Sequence, residues 1–237
     1  MRGGVTMIFV TGDLHGDYDV YKLRFGENKE LDQATKEDYL MICGDFGMVW
    51  DDSPTDLWWR KWLDGLPYTV LFIDGNHENF DLLDAYPTEE WHGGLVQRIM
   101  PSVLHLMRGQ VYEIDGKTFF TMGGAQSHDV AQRVEGESWW KQELPSEEEI
   151  SAAREKLDQY NWTVDYVLTH SLPTSLEESV FEEFDYPHNR LTDFFDEVEQ
   201  KLAYRNWFTG HYHQDARLAC NPQMILLYNY ILKLDDD

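Results

Sequence analysis

Residues 5–17 read VTMIFVTGDLHGD, an apolar run of β-branched and aromatic side chains that stops at a glycine and then offers a carboxylate and an imidazole. A short continuous apolar run of this kind reads as a strand buried on both faces. Four further runs repeat the design: 39–43 before Gly44-Asp45, 69–73 before Gly75-Asn76-His77-Glu78, 166–169 before His170, and 207–209 before Gly210-His211-Tyr212-His213. In an open α/β sheet the carboxyl ends of parallel strands share one edge, where ligands bind. Five segments far apart in sequence should therefore deliver their polar residues to one place. Taken alone, the strand pattern suggests a single doubly wound sheet.

Helices fill the intervals. Ser53 with Pro54 reads as an N-cap and first helical residue, opening a segment through Leu66. Ser146 with Glu149 is a capping box, followed by Ile150, Ala153, Leu157 and Tyr160 at helical spacing. After His188 a stripe of Leu191, Phe194, Phe195, Val198 and Leu202 predicts another helix, and Trp58, Trp59 and Trp62 read as core packing. Asp115-Gly116 between two strand-like runs, 110–114 and 117–122, predicts a hairpin. A second antiparallel piece should join 216–220 to 224–234 about Asn221-Pro222, leaving the three terminal aspartates as a solvated tail.

Composition bounds the rest. The chain has 237 residues, 42% hydrophobic and 27% charged, enough for one domain with a core. A formal charge of −25 argues against binding duplex nucleic acid, where cationic contacts dominate affinity. Two cysteines cannot build a disulfide framework, and Cys43 reads as a small buried hydrophobe. No run approaches the roughly 20 apolar residues of a membrane helix. A cytoplasmic protein without membrane partners is the expectation.

Five of the nine histidines lie at the strand ends, beside Asp13, Asp45 and Asn76. Imidazole nitrogen with carboxylate and amide oxygen, and no thiolate, suits Mn, Fe, Zn or Ni. Clustered carboxylates repel unless cations lie between them, and a bridging one would admit two divalent ions. His92, His105 and His188 have no such setting and read as surface or packing residues.

These residues resemble the motif series of the calcineurin-like metallophosphoesterase superfamily: Asp-x-His, Gly-Asp, Gly-Asn-His-Asp/Glu, a lone His and Gly-His-x-His, in order, here from position 12 to 213. The resemblance implies an α/β, four-layer αββα sandwich of two mixed β-sheets flanked by helices, with the hairpin and C-terminal strands in the second sheet. It implies one metallophosphoesterase domain over 1–237, with a rim or cap insertion at about 123–145. It further implies that Asp13, His15, Asp45 and His213 hold one divalent ion, and that Asp45, Asn76, His170 and His211 hold another, with Mn²⁺ placed first and Fe, Zn or Ni as alternatives. Hydrolysis of a phosphomonoester or phosphodiester of a small molecule or nucleotide would follow from in-line attack by a metal-bridging hydroxide, with His77 as general acid.

The opening motif resembles the Ser/Thr protein phosphatase branch, so a phosphoprotein phosphatase is one alternative and an inactive metal-binding scaffold another. In that branch the second motif continues with an aspartate and an arginine, where this chain has Met48 and Val49. Asp74, Asp51 and Asp52 are the candidates left to orient His77. The segment from Gly123 through Arg133 to Trp140 resembles one in bacterial and phage members. There Arg133 and His128, with Asn76, are expected to meet substrate phosphate, the alternative being that Trp139 and Trp140 pack beneath the Ser146 helix.

Overall fold

Alternation along each central strand sorts side chains onto two faces, and the faces define the layers. The computed structural model describes residues 6–181 and 188–234, so Val5 and the 235–237 tail lie outside the described residues. In β1 (Ile8–Thr11), Phe9 joins an outer core while Ile8 and Val10 join an inner one. The strands β2 (Tyr39–Cys43) and β3 (Thr69–Ile73) divide likewise: Leu40, Ile42, Val70 and Phe72 lie outward and Met41, Cys43, Leu71 and Ile73 inward.

A hairpin of β4 (Thr88–Trp91) and β5 (Gly94–Met100) then leads into β6 (Val103–Leu106). The hairpin β7 (Gln110–Ile114) and β8 (Lys117–Met122), with β9 (Tyr166–Thr169), β10 (Asn206–Thr209), β11 (Ala216–Arg217) and β12 (Met224–Leu226), builds a second sheet; β13 (Leu232–Lys233) returns to the first. The strand orders are β13-β1-β2-β3-β6-β5-β4 and β11-β12-β10-β9-β8-β7. Both sheets are mixed: β1, β2, β3 and β6 run parallel, as do β12, β10, β9 and β8, with antiparallel strands at the edges.

The inner core joins the sheets, since Ile8, Met41 and Leu71 of the first share a cluster with Phe119, Leu168 and Phe208 of the second. Helix α1 (Pro54–Asp64) covers the outside of the first sheet, and α3 (Glu147–Gln159) and α5 (Arg190–Lys201) cover the second. Two shorter helices, α2 (Phe80–Leu83) and α4 (Thr174–Val180), follow β3 and β9. This is the four-layer sandwich rather than a single sheet. No helix of the described residues is long and apolar enough to cross a membrane.

The local signals operate as expected in several places. The Ser53 hydroxyl accepts from the Asp56 amide, and the Ser146–Glu149 capping box closes in both directions. Asp115 and Gly116 both take positive φ, the geometry of a tight hairpin turn. Other expectations need correction. Residues 224–234 do not form one strand, because the Asp215 carboxylate accepts from the backbone amides of Tyr228, Asn229 and Tyr230 and removes them from any ladder. The chain crosses to the first sheet there. Trp58 is 56% exposed while Trp59 and Trp62 pack on the core, since neighbouring helical residues point about 100° apart.

Phe208 is fully buried between the sheets, two residues before Gly210-His211. Phe208→Ala should cost about 3–5 kcal/mol in urea unfolding; a loss below about 1 kcal/mol would contradict a shared inter-sheet core.

Candidate metal centre

The loops after β1, β2, β3, β9 and β10 converge, so strands from both sheets supply one site. Asp45 lies at its middle and is 1% exposed. Its Oδ2 is 3.2 Å from His15 Nε2 and its Oδ1 is 3.2 Å from His170 Nε2. Asp13, with no exposed surface, has Oδ2 3.3 Å from His213 Nε2. Among the described residues, three groups of donors each gather within 4.8 Å: Asp13, His15 and His213; Asp45, His170 and His211; and His15, Asp45 and His77. The first brings together three of the four residues expected at one ion, without Asp45, the second three of the four expected at the other, without Asn76, and the third joins His15 and Asp45 to His77.

The donor set fits cations on an independent observation. Asp13 Oδ2, Asn76 Oδ1 and His170 Nε2 are buried with no hydrogen-bond partner, although Asp13 Oδ2 lies 3.3 Å from His213 Nε2 and His170 Nε2 3.2 Å from Asp45 Oδ1. Such orphaned atoms are costly in a folded interior. The opposite ring nitrogens are anchored: His15 Nδ1 lies 2.7 Å from Asp19 and His170 Nδ1 2.6 Å from the Cys43 carbonyl. Anchoring one nitrogen aims the other, as metal-ligating histidines require. The Asn76 amide nitrogen likewise donates to Ser127 Oγ at 3.2 Å, leaving Oδ1 to face the site.

Charge reinforces the picture. Burial works against the carboxylate of Asp45, but the His170 charge and the His15 and His170 contacts hold its pKa well below the usual range. Burial would lower His170, yet Asp45 and Asp13 lift it to about 10. His15 is raised to about 9 over the same opposition from burial. His211 is pushed down to about 3 by burial and by His170, which leaves it neutral with a lone pair to give. Burial also lowers His77, opposed by Asp45 and aided by Arg133.

Backbone geometry is unusual in the same place. His15, Asp45, His211 and His213 all adopt φ between 46° and 70°, a left-handed conformation costly for residues other than glycine and often found at functional sites. Gly75 and Gly210 let strands approach the carboxylates: a Cβ on Gly75 would lie 2.1 Å from Asp45 Oδ1, and one on Gly210 2.1 Å from Asp13 Oδ1.

Arg133 and His128 line a cavity of about 230 Å³ together with Asp45, Asn76, His77 and His213. Arg133 is held there by Asp129 at 2.6 Å and the Ser138 carbonyl at 3.1 Å. None of the three acids considered for His77 contacts its ring in the structure. Asp74 binds Arg108 at 2.8 Å and His105 at 3.1 Å, Asp52 pairs with Arg60, and Asp51 accepts from the Ser53 amide. What positions His77 is its backbone amide, which donates to Asp45 Oδ1 at 2.8 Å. Trp140 is buried, meets Trp50 edge-on and donates to Asp81 at 2.9 Å. His188 is exposed, His105 buried and His92 exposed, all outside the site. Burial pushes the Cys43 thiol far up, away from nucleophilic use.

The roles of two residues escaped the sequence reading. Lys22, 5% exposed, donates to the Asp13 carbonyl at 2.6 Å and the Tyr228 carbonyl at 2.5 Å, tying the first ligand loop to the C-terminal crossing. Glu78, 1% exposed, accepts from the amides of Phe46 at 2.7 Å and Gly47 at 3.1 Å, joining the second and third loops. A lone lysine in a turn carries no local signal; Glu78 stood in a recognised motif whose backbone partners only the fold reveals. Gly75→Ala should destabilise the chain by about 1–3 kcal/mol through overpacking. A neutral substitution in a thermal melt would show that the third loop does not press on Asp45.

A family model for calcineurin-like phosphoesterases matches residues 6–215. Lariat debranching enzyme A of Xenopus laevis is 24% identical, the match covering 87% of this chain and 42% of that protein, so the chain spans less than half the length of this relative. Among solved structures, phosphopantetheinyl hydrolase from Mycobacterium tuberculosis superposes with a TM-score of 0.44 at 16% identity, covering 95% of this chain and 89% of that one. With the model matching most of its length through all five ligand-bearing loops, this chain belongs to the calcineurin-like phosphoesterase family.

Proposed function

We propose that the chain is a two-metal phosphoesterase cleaving a phosphomonoester or phosphodiester of a small molecule or nucleotide. The observation that carries this reading is Asp45, whose two oxygens face different imidazoles at 3.2 Å amid buried donor atoms that lack partners. Asp13, His15 and His213 would hold one ion and Asn76, His170 and His211 the other, with Asp45 shared and Mn²⁺ the first candidate. Bound divalent ions supply positive charge to the phosphoryl oxygens and lower the pKa of a water.

The protein's own groups do the rest. His15 and His170 are fixed through their far nitrogens, so the site is organised before substrate arrives. His77, held by its amide on Asp45, gives a proton to the departing alkoxide oxygen. Arg133, pinned by Asp129 and Ser138, meets phosphate from the cavity wall together with His128 and the Asn76 side chain. Segment 123–145 forms the rim of a single domain, an arrangement supported by the Ser127 contact to Asn76 and the Trp140 contact to Asp81.

Met48 and Val49 weigh against the phosphoprotein alternative, since both are buried in the outer core where that branch has an aspartate and an arginine. The scaffold alternative has no gap in the ligand set to support it.

Metal-stripped protein reconstituted in turn with Mn, Fe, Zn and Ni, then assayed on a monoester, a diester, a nucleotide panel and a phosphopeptide, tests the reading. Activity should return with metal and favour the non-peptide esters; full activity after thorough chelation would refute it. Asp45→Asn should abolish turnover on every substrate and lower metal content. His77→Ala should keep its metal and lose roughly 10²–10⁴-fold in turnover, most for esters with poor leaving groups. Equal slowing across leaving groups would remove His77 as the proton donor.

A further inference from the structure

Beside the metal cavity, and sharing His77 and His213 with it, opens a larger cleft of about 860 Å³. The two differ sharply in chemistry. The metal cavity carries Arg133, whereas none of the described residues lining the cleft is Lys or Arg. Tyr18, Trp50, Trp59 and Tyr228 line it, with Asp17, Asp19, Asp51 and Asp56 among them.

The aromatic walls are set in place by the site itself. Tyr228 stacks on His213 with ring centroids 4.7 Å apart and planes 18° from parallel, and its hydroxyl donates to Asp19 at 3.1 Å. Trp50 is held through its carbonyl, which accepts from Asn79 at 2.6 Å, and through its amide, which donates to Asp56 at 3.1 Å. Tyr18 is 84% exposed at the mouth. The acids are mostly engaged in the fold: Asp56 accepts from three consecutive amides, 50 to 52, Asp19 meets His15 and Tyr228, and Asp51 accepts from Ser53. They repel an anion without standing ready to pair with a cation.

We propose that this cleft receives the organic arm of the phosphate ester, and that the arm is an uncharged planar aromatic group of nucleobase size. The assignment rests on the phosphoesterase reading and adds the substrate class. Phosphate sits on the Arg133 side and the flat ring on the aromatic side. A second phosphate or an acidic peptide arm would enter a cleft lined by Asp17, Asp19 and Asp51 with no Lys or Arg among the described residues of its walls, His15 lying at the metal end where the ester phosphate binds and Arg60 behind Asp56 being taken up by Asp52 and Asp56. Stacking on ring faces tolerates different bases, because every base offers a π-face, and the volume lies within the range of small-molecule sites.

Calorimetric titration of the metal-reconstituted protein with phosphonates, whose carbon–phosphorus bond resists hydrolysis, separates the arms. The probes are methylphosphonate, naphthylmethylphosphonate, 2-carboxyethylphosphonate and 2-(trimethylammonio)ethylphosphonate. Naphthylmethylphosphonate should bind at least about tenfold more tightly than methylphosphonate, and the carboxyethyl probe more weakly than methyl. In Trp50→Ala and in Tyr18→Ala, the latter at an exposed position that folding does not need, the naphthylmethyl-to-methyl ratio should fall to within about threefold of one. Equal affinity for the naphthylmethyl and methyl probes, tightest binding by the trimethylammonio probe, or a ratio unmoved in both variants would overturn the assignment while leaving the phosphoesterase reading intact. Failure of every phosphonate to bind, together with absence of ester hydrolysis, would overturn both.

Discussion

Two carboxylates of like charge buried side by side are the constraint on which the rest of this structure depends. Asp13 and Asp45 are 0% and 1% exposed, and taking each ion out of water costs several kcal/mol even after relaxation. Nearby imidazoles answer part of that cost by holding protons, seen in the upward shifts of His15 and His170. A divalent ion bound there would displace those protons and meet Asp13 Oδ2 and Asn76 Oδ1, buried oxygens that have no hydrogen-bond partner. Lys22, clamped on the Asp13 carbonyl, and Glu78, clamped on the amides after Asp45, hold the loops so that the donors meet.

The division of labour between the sheets explains why a sandwich is needed. The first sheet supplies Asp13, His15, Asp45 and Asn76, while the second supplies His170, His211 and His213. Two of the three donor groups, Asp13 with His15 and His213 and Asp45 with His170 and His211, take residues from both sheets, so the inter-sheet core containing Phe119, Leu168 and Phe208 fixes the distance between the two halves of the site. Beyond the donor cluster the surface is asymmetric, with Arg133 on one side and aromatic rings among carboxylates on the other. An overall charge of −25 is thus compatible with a phosphate ester if one end alone of the substrate is anionic.

Much of this was legible in the sequence because strand ends state their chemistry locally. An apolar run ending in Gly-Asp or His-x-His says both where the strand stops and what it presents, and Ser53, Ser146 and Asp115-Gly116 mark helix starts and a turn by short-range rules. What escaped depends on long-range partners. The strands at 88–106 were not anticipated, since their exposed edge residues, such as Thr88, Glu89 and Glu90, blur the alternation. The break at 228–230 follows from Asp215, and the burial of Lys22 from a crossing more than two hundred residues away. Asp74 and Asp52 are kept from His77 by Arg108, His105 and Arg60, of which Arg60 alone is close in sequence to the acid it occupies.

The central claim is that these donors surround a pair of cations sharing Asp45. Anomalous diffraction from crystals grown with Mn²⁺ tests it most directly. The account predicts two anomalous peaks, one on the His15 side of Asp45 and one on the His170 side. A single peak, peaks elsewhere on the molecule, or none at saturating metal would contradict it.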